Sequence, residues 1–126
     1  MGSKIRTGVK LVKGDLEDAA SLESAFKGAH GVYLVVNFWG LGAEGEIRQG
    51  KNAIDAAKRA GVKHLVYSSV GAADKNTGIP HFESKWETEK YLSASGLHYS
   101  VIRPVYFMDN LLGPNTVKDG VLYQPM

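Results

Sequence analysis

The sequence predicts an α/β domain with a mostly parallel sheet and flanking helices, and three observations lead there. His30, His64 and His98 recur at intervals of 34 residues, each just after a helix-stopping glycine and just before an apolar run. Two of those runs, Val32–Val36 and His64–Tyr67, are near-continuously apolar, as strands inside a parallel sheet are. Between the runs lie stretches with apolar residues at helical spacing. A 34-residue period also suits a tetratricopeptide array, but each unit here carries a strand where that repeat needs a second helix. Three βα-sized units remain, which calls for parallel strands joined by helical crossovers.

Taken in order, Gly8–Asp15 places Val9 and Leu11 inward and Lys10 and Lys13 outward, with Val12 interrupting the strict alternation. It reads as a short strand ending at Gly14-Asp15. Asp18 can cap the helix that follows, in which Leu22, Ala25 and Phe26 share a face. Gly28 stops that helix, and Val32–Val36 reads as a strand buried on both faces. The Gly40–Gly45 segment reads as a loop, and a helix runs from about Glu44 to Ala60, with Ile47, Ile54 and Ala57 on its buried stripe. Gly61 closes it before the His64 strand. That strand ends in Ser68-Ser69 and opens into a loop reaching Pro80. The next helix carries Phe82 and Trp86 four residues apart, and Gly96 ends it. Tyr99–Ile102 is a further strand, stopped by Arg103-Pro104. The remainder holds a helix pattern at Phe107–Leu112 and a strand pattern at Val121–Tyr123.

Composition narrows the function classes. The chain has 126 residues, enough for one domain and one core, with 44% hydrophobic and 22% charged residues, as ordinary soluble domains have. Fifteen basic against thirteen acidic side chains give a net +2. No basic stripe interleaved with aromatics is present, so nucleic-acid binding has little support. The lack of cysteine excludes disulfides, thiolate catalysis and zinc–thiolate sites. No apolar run is long enough to span a bilayer and no signal-peptide core is present, which fits a cytoplasmic protein.

The functional question centres on the carboxyl ends of the strands, where open α/β sheets bind ligands. Gly40-Leu41-Gly42-Ala43-Glu44-Gly45 matches G-x-G-x-x-G literally. Three residues separate it from the preceding strand, however, and the next strand ends in serines where a ribose-binding acid belongs, so a flexible strand-to-helix loop is the better reading. By spacing alone, Lys85 reads as a helix lysine pairing with Glu89 one turn on; the alternative is a crevice lysine that hydrogen-bonds ribose hydroxyls. His81 reads as an exposed residue at the helix start, with proton transfer as the alternative role. Phe82, Trp86 and Tyr91 read as core and rim packing, and Glu83, Glu87 and Glu89 as a solvated face. The three periodic histidines sit at strand starts, opposite the crevice, too spread for a metal centre. No Ser-His-Asp set has a recognisable spacing.

The order GVKLVKGDLED, VYLVVNFWG, EIRQGKNAIDAAKRAGVKHLVYSSVGA and HFESKWETEKYLSASGLHYSVIRPVYFMDNLL resembles the NmrA-like family, atypical short-chain dehydrogenase/reductase proteins with a Rossmann fold. The resemblance runs from about Gly8 to Leu112, and the Asn-aromatic-Trp segment followed by the Gln-Gly-Lys helix is similar to the NADPH-sensing subgroup. It implies NADP or NAD as cofactor and a redox sensor or regulator role, with reductase chemistry as an addition. The adenine then falls beside Asp15 and Leu16. The cofactor is lined by Val36, Asn37 and Phe38, Lys85 touches the nicotinamide ribose, and Val105, Tyr106, Phe107 and Asn110 lie near the nicotinamide. Where standard members carry a proton-donating tyrosine four residues before the lysine, this chain has His81. The resemblance also implies a Rossmann-like domain over residues 1–126 that lacks the first βαβ unit and its glycine-rich phosphate loop, so that the Val9 strand re-pairs with Val32 or with another chain. Two other classes stay open. One is a protein-interaction module, with a regulatory partner or a homodimer, that no longer binds cofactor. The other is a reductase of the isoflavone-reductase type using Lys85 as acid and base.

Overall fold

The computed structural model describes residues 8–105, 117–118 and 121–122. Its elements are α1 (Ala19–Phe26), β1 (Gly31–Leu34), α2 (Phe38–Arg59), β2 (His64–Ser68), a 3₁₀ turn (Ala73–Lys75), α3 (Pro80–Ala94), β3 (Tyr99–Ile102), β4 (Val117–Lys118) and β5 (Val121–Leu122). β1, β2 and β3 form a parallel sheet in that order, with Val32 opposite Leu65, Leu34 opposite Tyr67, and Tyr67 opposite Val101. β4 and β5 pair antiparallel, which accounts for the strand expected at Val121. Tyr123 and the helix expected at Phe107–Leu112 lie outside the described residues.

The α/β expectation holds, and the layers explain its details. Leu22 of α1, Ala53, Ile54, Ala56 and Ala57 of α2, and Leu92 of α3 form one cluster with Leu34, Val36, Leu65 and Tyr67. These strand residues share a sheet face, so all three helices make a single layer upon it. The opposite face is uncovered among the described residues: Tyr33 is 61% exposed, Val35 57% and Ile102 49%. The Val32–Val36 run is therefore buried on one face only, which corrects the two-faced expectation. An apolar run records affinity for burial; whether a layer arrives on each side is decided elsewhere in the chain.

The strand expected at Gly8–Asp15 does not form. Residues 9–14 have no regular structure, and Val9, Leu11 and Val12 lie more than half exposed. Alternating side chains make a strand only where a ladder partner exists. Val32 is in register with Leu65, not with Val9, and Asp15 makes just one bridge, to Asp18. That bridge belongs to the turn into α1. There the Asp18 carboxylate accepts from the Ala20 and Ser21 amides, the cap expected of it.

α2 begins earlier than expected. Asn37 caps it by accepting from the Trp39 amide at 2.9 Å, so one turn, Phe38 to Leu41, precedes Gly42. Gly42, at φ 72° and ψ −170°, then breaks the helix, a conformation that strains any residue with a Cβ. The glycine-rich segment is thus a kink inside a helix, with loop character at Gly42 alone. Beyond it, Ile54 and Ala57 are buried as expected and Ile47 is half-buried. Gly50, on the same buried stripe, lets α3 approach closely, since a Cβ there would meet Thr88.

α3 starts with Pro80 in its first turn, where the missing N–H costs nothing. Its buried face is Ser84, Thr88, Glu89 and Leu92, while Phe82, Trp86 and Tyr91 are half-buried at the rim. Glu89 is therefore not part of a solvated face, a correction whose reason lies in its partners below. No helix among the described residues is long and apolar enough to cross a membrane.

Candidate functional site

The carboxyl ends of β1, β2 and β3 and the first turns of α3 enclose a crevice of about 430 Å³. That is the place open α/β sheets reserve for ligands, and a size that ligand pockets have. Each strand contributes its exit and α3 the remaining wall. Val35 to Trp39 leave β1, Ser68 to Val70 leave β2, Pro104 and Val105 leave β3, and His81 and Lys85 stand on α3. Beyond the strand ends the junctions remain tied: the Ser69 amide donates to Ile102 O at 2.8 Å and the Gly71 amide to Pro104 O at 2.9 Å.

An ionic knot holds the far wall. The Ser69 hydroxyl donates to Glu89 Oε2 at 2.7 Å, and Arg103 Nη2 donates to Glu89 Oε1 at 2.7 Å with Nε close behind. Arg103 Nη1 also reaches Asp74 Oδ1 at 3.3 Å. Glu89 is 5% exposed, and this set of donors from the residues just past β2 and β3 is what allows its burial.

Lys85 has a different set of partners. Its Nζ donates to Val36 O at 2.7 Å and lies 3.0 Å from Glu46 Oε1. Its side chain is 13% exposed, and Nζ sits 5.7 Å from the Tyr67 ring centre. The expected Lys85–Glu89 pair along the helix does not form, because each side chain is claimed by a buried partner on another element. Glu46, on α2, is wholly buried. Its contact with Lys85 is close but poorly aligned, and neither carboxylate oxygen receives an aligned hydrogen bond among the described residues. Burial pushes the Glu46 carboxyl above the usual carboxylate range, and the nearby Lys85 opposes that rise. The Tyr67 hydroxyl is buried without a partner among the described residues, and burial raises its pKa as well.

His81 is half-buried rather than freely exposed. Its ring lies 4.7 Å from Phe82, 5.5 Å from Trp39 and 5.6 Å from Phe38, forming an aromatic patch over the crevice. Trp39 itself is 78% exposed.

Of the residues singled out from sequence, Val36, Asn37, Phe38, His81, Lys85 and Val105 come together around this crevice. Asp15 and Leu16 do not line it. The Asp15 carboxylate accepts from the Glu17 amide, and Leu16 O accepts from Asn52 Nδ2, at the entry to α1. Tyr106, Phe107 and Asn110 lie outside the described residues. Sequence reasoning missed Trp39, Val70 and, most consequentially, Glu46. One signal could have found it: Glu46, Gly50, Ala53 and Ala57 recur at helical spacing, placing a lone acid on a stripe of small buried residues.

Comparison with known proteins agrees with this geometry. The NmrA-like family profile matches residues 3–125. Quinone oxidoreductase 2 of Escherichia coli is 33% identical over 116 residues, covering 90% of this chain and 39% of that protein. An NmrA-like family domain-containing oxidoreductase of Penicillium ochrochloron is 33% identical over 116 residues, covering 83% of this chain and 35% of that protein. Among solved structures, the E. coli NADPH-dependent quinone oxidoreductase complexed with NADPH superposes with a TM-score of 0.73 at 33% identity, over 83% of this chain and 36% of that one. NmrA, a negative transcriptional regulator, in complex with NAD, superposes with a TM-score of 0.60 at 29% identity, over 75% and 30%. The chain spans about a third of the length of these relatives, 30% to 39%. With its profile match over almost the whole sequence and its Rossmann-like half-sheet, the chain belongs to the NmrA-like family.

Proposed function

We propose that this chain contributes the nicotinamide-side wall of an NAD(P)-binding site in an NmrA-like oxidoreductase or redox-sensing regulator. The observation that carries the reading is Lys85: a nearly buried ammonium at the carboxyl ends of three parallel strands, donating to Val36 O and bordering an open crevice. An ammonium held there can donate to ribose hydroxyls, and Asn37, Phe38 and Val105 offer one polar and two apolar contacts. Tyr106, Phe107 and Asn110 continue that wall in the proposal, and Asp15 and Leu16 serve the adenine end. Two relatives are described with NADPH and NAD bound, which supports a dinucleotide as ligand. His81 offers an imidazole where a hydroxyl donor serves standard reductases, so binding and sensing lead over reductase turnover. Where turnover occurs, Lys85 or His81 is the proton donor.

Calorimetric titration of the full chain with NADPH and with NADH tests this. Saturable micromolar binding that Lys85→Ala weakens at least tenfold is the expected result. No heat at millimolar ligand, in a sample folded by circular dichroism, would overturn it. The second reading is an interaction module, and the exposed apolar sheet face at Tyr33, Val35 and Ile102 favours it.

A further inference from the structure

Glu46 has no place in the reading above, yet it is the least expected residue of the molecule. A glutamate is seldom fully buried, and those that are have paired, hydrogen-bonded carboxylates. Glu46 is fully buried, and its oxygens lack an aligned donor among the described residues. What it does have is the Lys85 ammonium at 3.0 Å. The other groups bearing on it are Ser84 and His81, also from α3, and the Tyr67 phenol from β2. Lys85 is the positive charge paired with Glu46 among the described residues: its Nζ donates to Val36 O and stands 3.0 Å from Glu46 Oε1. The same side chain, 13% exposed, borders the crevice.

We propose that Glu46 is a positioning residue: a buried counter-ion that keeps the Lys85 amine protonated and fixed against Val36, with one N–H presented to the ligand. A desolvated amine beside an aromatic ring favours its neutral form, and one carbonyl dipole does not balance a whole charge. A neutral amine would still fill the space but would lose the charge that draws a ribose hydroxyl or a phosphate. The value of the proposal for ligand binding rests on the dinucleotide reading, but the Glu46–Lys85 linkage itself is measurable without any ligand.

The test is competitive acetylation of the ligand-free full chain with acetic anhydride across pH, read at Lys85 by peptide mass spectrometry. In Glu46→Gln the Lys85 amine is expected to become reactive at a pH lower by at least about one unit, a tenfold gain in reactivity at neutral pH. The solvent-facing Lys51 and Lys58 serve as internal standards and keep their profiles. A purely structural role would change the Lys85 rate at every pH without moving its onset, and an unmoved onset in a folded variant overturns the proposal. NADPH titration then adds the functional arm. Affinity in Glu46→Gln falls as pH rises from 6 to 9, whereas Glu46→Gln/Lys85→Arg stays level because guanidinium keeps its proton. Absent NADPH binding by the unmutated chain would refute the dinucleotide reading and leave the acetylation result standing. Should Glu46→Gln not fold, Lys85→Met is read by thermal melts in its place. With no ammonium beside it, Glu46 must take a proton to stay buried, so the melting temperature falls from pH 5 to 8 more steeply than in the parent. Parallel curves overturn the proposal.

Discussion

Gly50 on α2 faces Thr88 on α3 so closely that a Cβ on Gly50 would stand 2.7 Å from Thr88 Cγ2 and 3.1 Å from its Oγ1. This contact lies one turn along α2 from Glu46 and about one turn along α3 from Lys85. The near-touching helices are what bring that acid beneath that lysine. Thr88 is fully buried and its hydroxyl donates to Ser84 O, so it has little room to turn away. Gly50→Ala is expected to destabilise the fold by about 1–3 kcal/mol despite alanine's better helix propensity. Urea melts should show this, and Gly50→Ala/Thr88→Ala should recover part of the loss. Strictly additive single changes would show that the two residues are not in contact.

Arg103 is expected to matter through Glu89. Removing the guanidinium leaves a buried carboxylate with the Ser69 hydroxyl as its one hydrogen-bond donor among the described residues. Arg103→Ala should cost about 1–3 kcal/mol, toward the lower end because the arginine is about one-third exposed and water can reach the gap. Arg103→Lys should recover less than half of it, since an ammonium lacks the planar fork that meets both carboxylate oxygens. Chemical denaturation at neutral pH measures both.

Tyr67 links stability to alkaline pH. Its folded-state pKa is raised by burial first, with Glu46 and Glu89 adding negative charge nearby. A raised phenol binds its proton more tightly folded than unfolded. Its contribution is therefore complete below the unfolded value, about 10, and declines as pH rises from there toward the folded value. Tyr67→Phe should flatten that decline. At neutral pH it should leave stability unchanged or raise it by up to about 1 kcal/mol, because the hydroxyl it deletes has no partner among the described residues. Thermal melts from pH 8 to 11 on the two proteins decide this.

The chain has two tryptophans, one on the crevice and one away from it. Trp39 lines the crevice, while Trp86 sits on α3 near Lys90 and Arg103. NADPH should quench the intrinsic fluorescence. Trp39→Phe should remove most of that change and Trp86→Phe little of it. The reverse pattern would put the ligand on another surface.

Local signals carried much of this molecule. The three parallel strands follow from short apolar runs after Gly28, Gly61 and Gly96, and α1 and α3 from helical spacing with Asp18 and Pro80 at their starts. These are properties of neighbours in sequence, set by backbone sterics and side-chain direction. The crevice was legible as a place, because parallel strands put their carboxyl ends together wherever such a sheet exists. Val36 to Phe38, Lys85 and Val105 were pointed to by the resemblance to the NmrA-like family, and His81 by its place at the start of α3.

Other features were decided only when distant segments met. Val9 and Leu11 have strand-like alternation yet no ladder to join. Val35 is as apolar as Val36, but only the latter faces the helices. Glu87 and Glu89 look alike along the helix. Glu89 is buried because Ser69 and Arg103, each just past the end of a different strand, bring donors to it, whereas Glu87 remains exposed. Glu46 and Lys85 are far apart in sequence and meet because Gly50 has no side chain to hold α3 away. Periodicity by itself determined which faces are apolar. Which charge faces which, and so which charges can be buried, depends on three-dimensional neighbours, because desolvation and Coulomb attraction act through space and not along the chain.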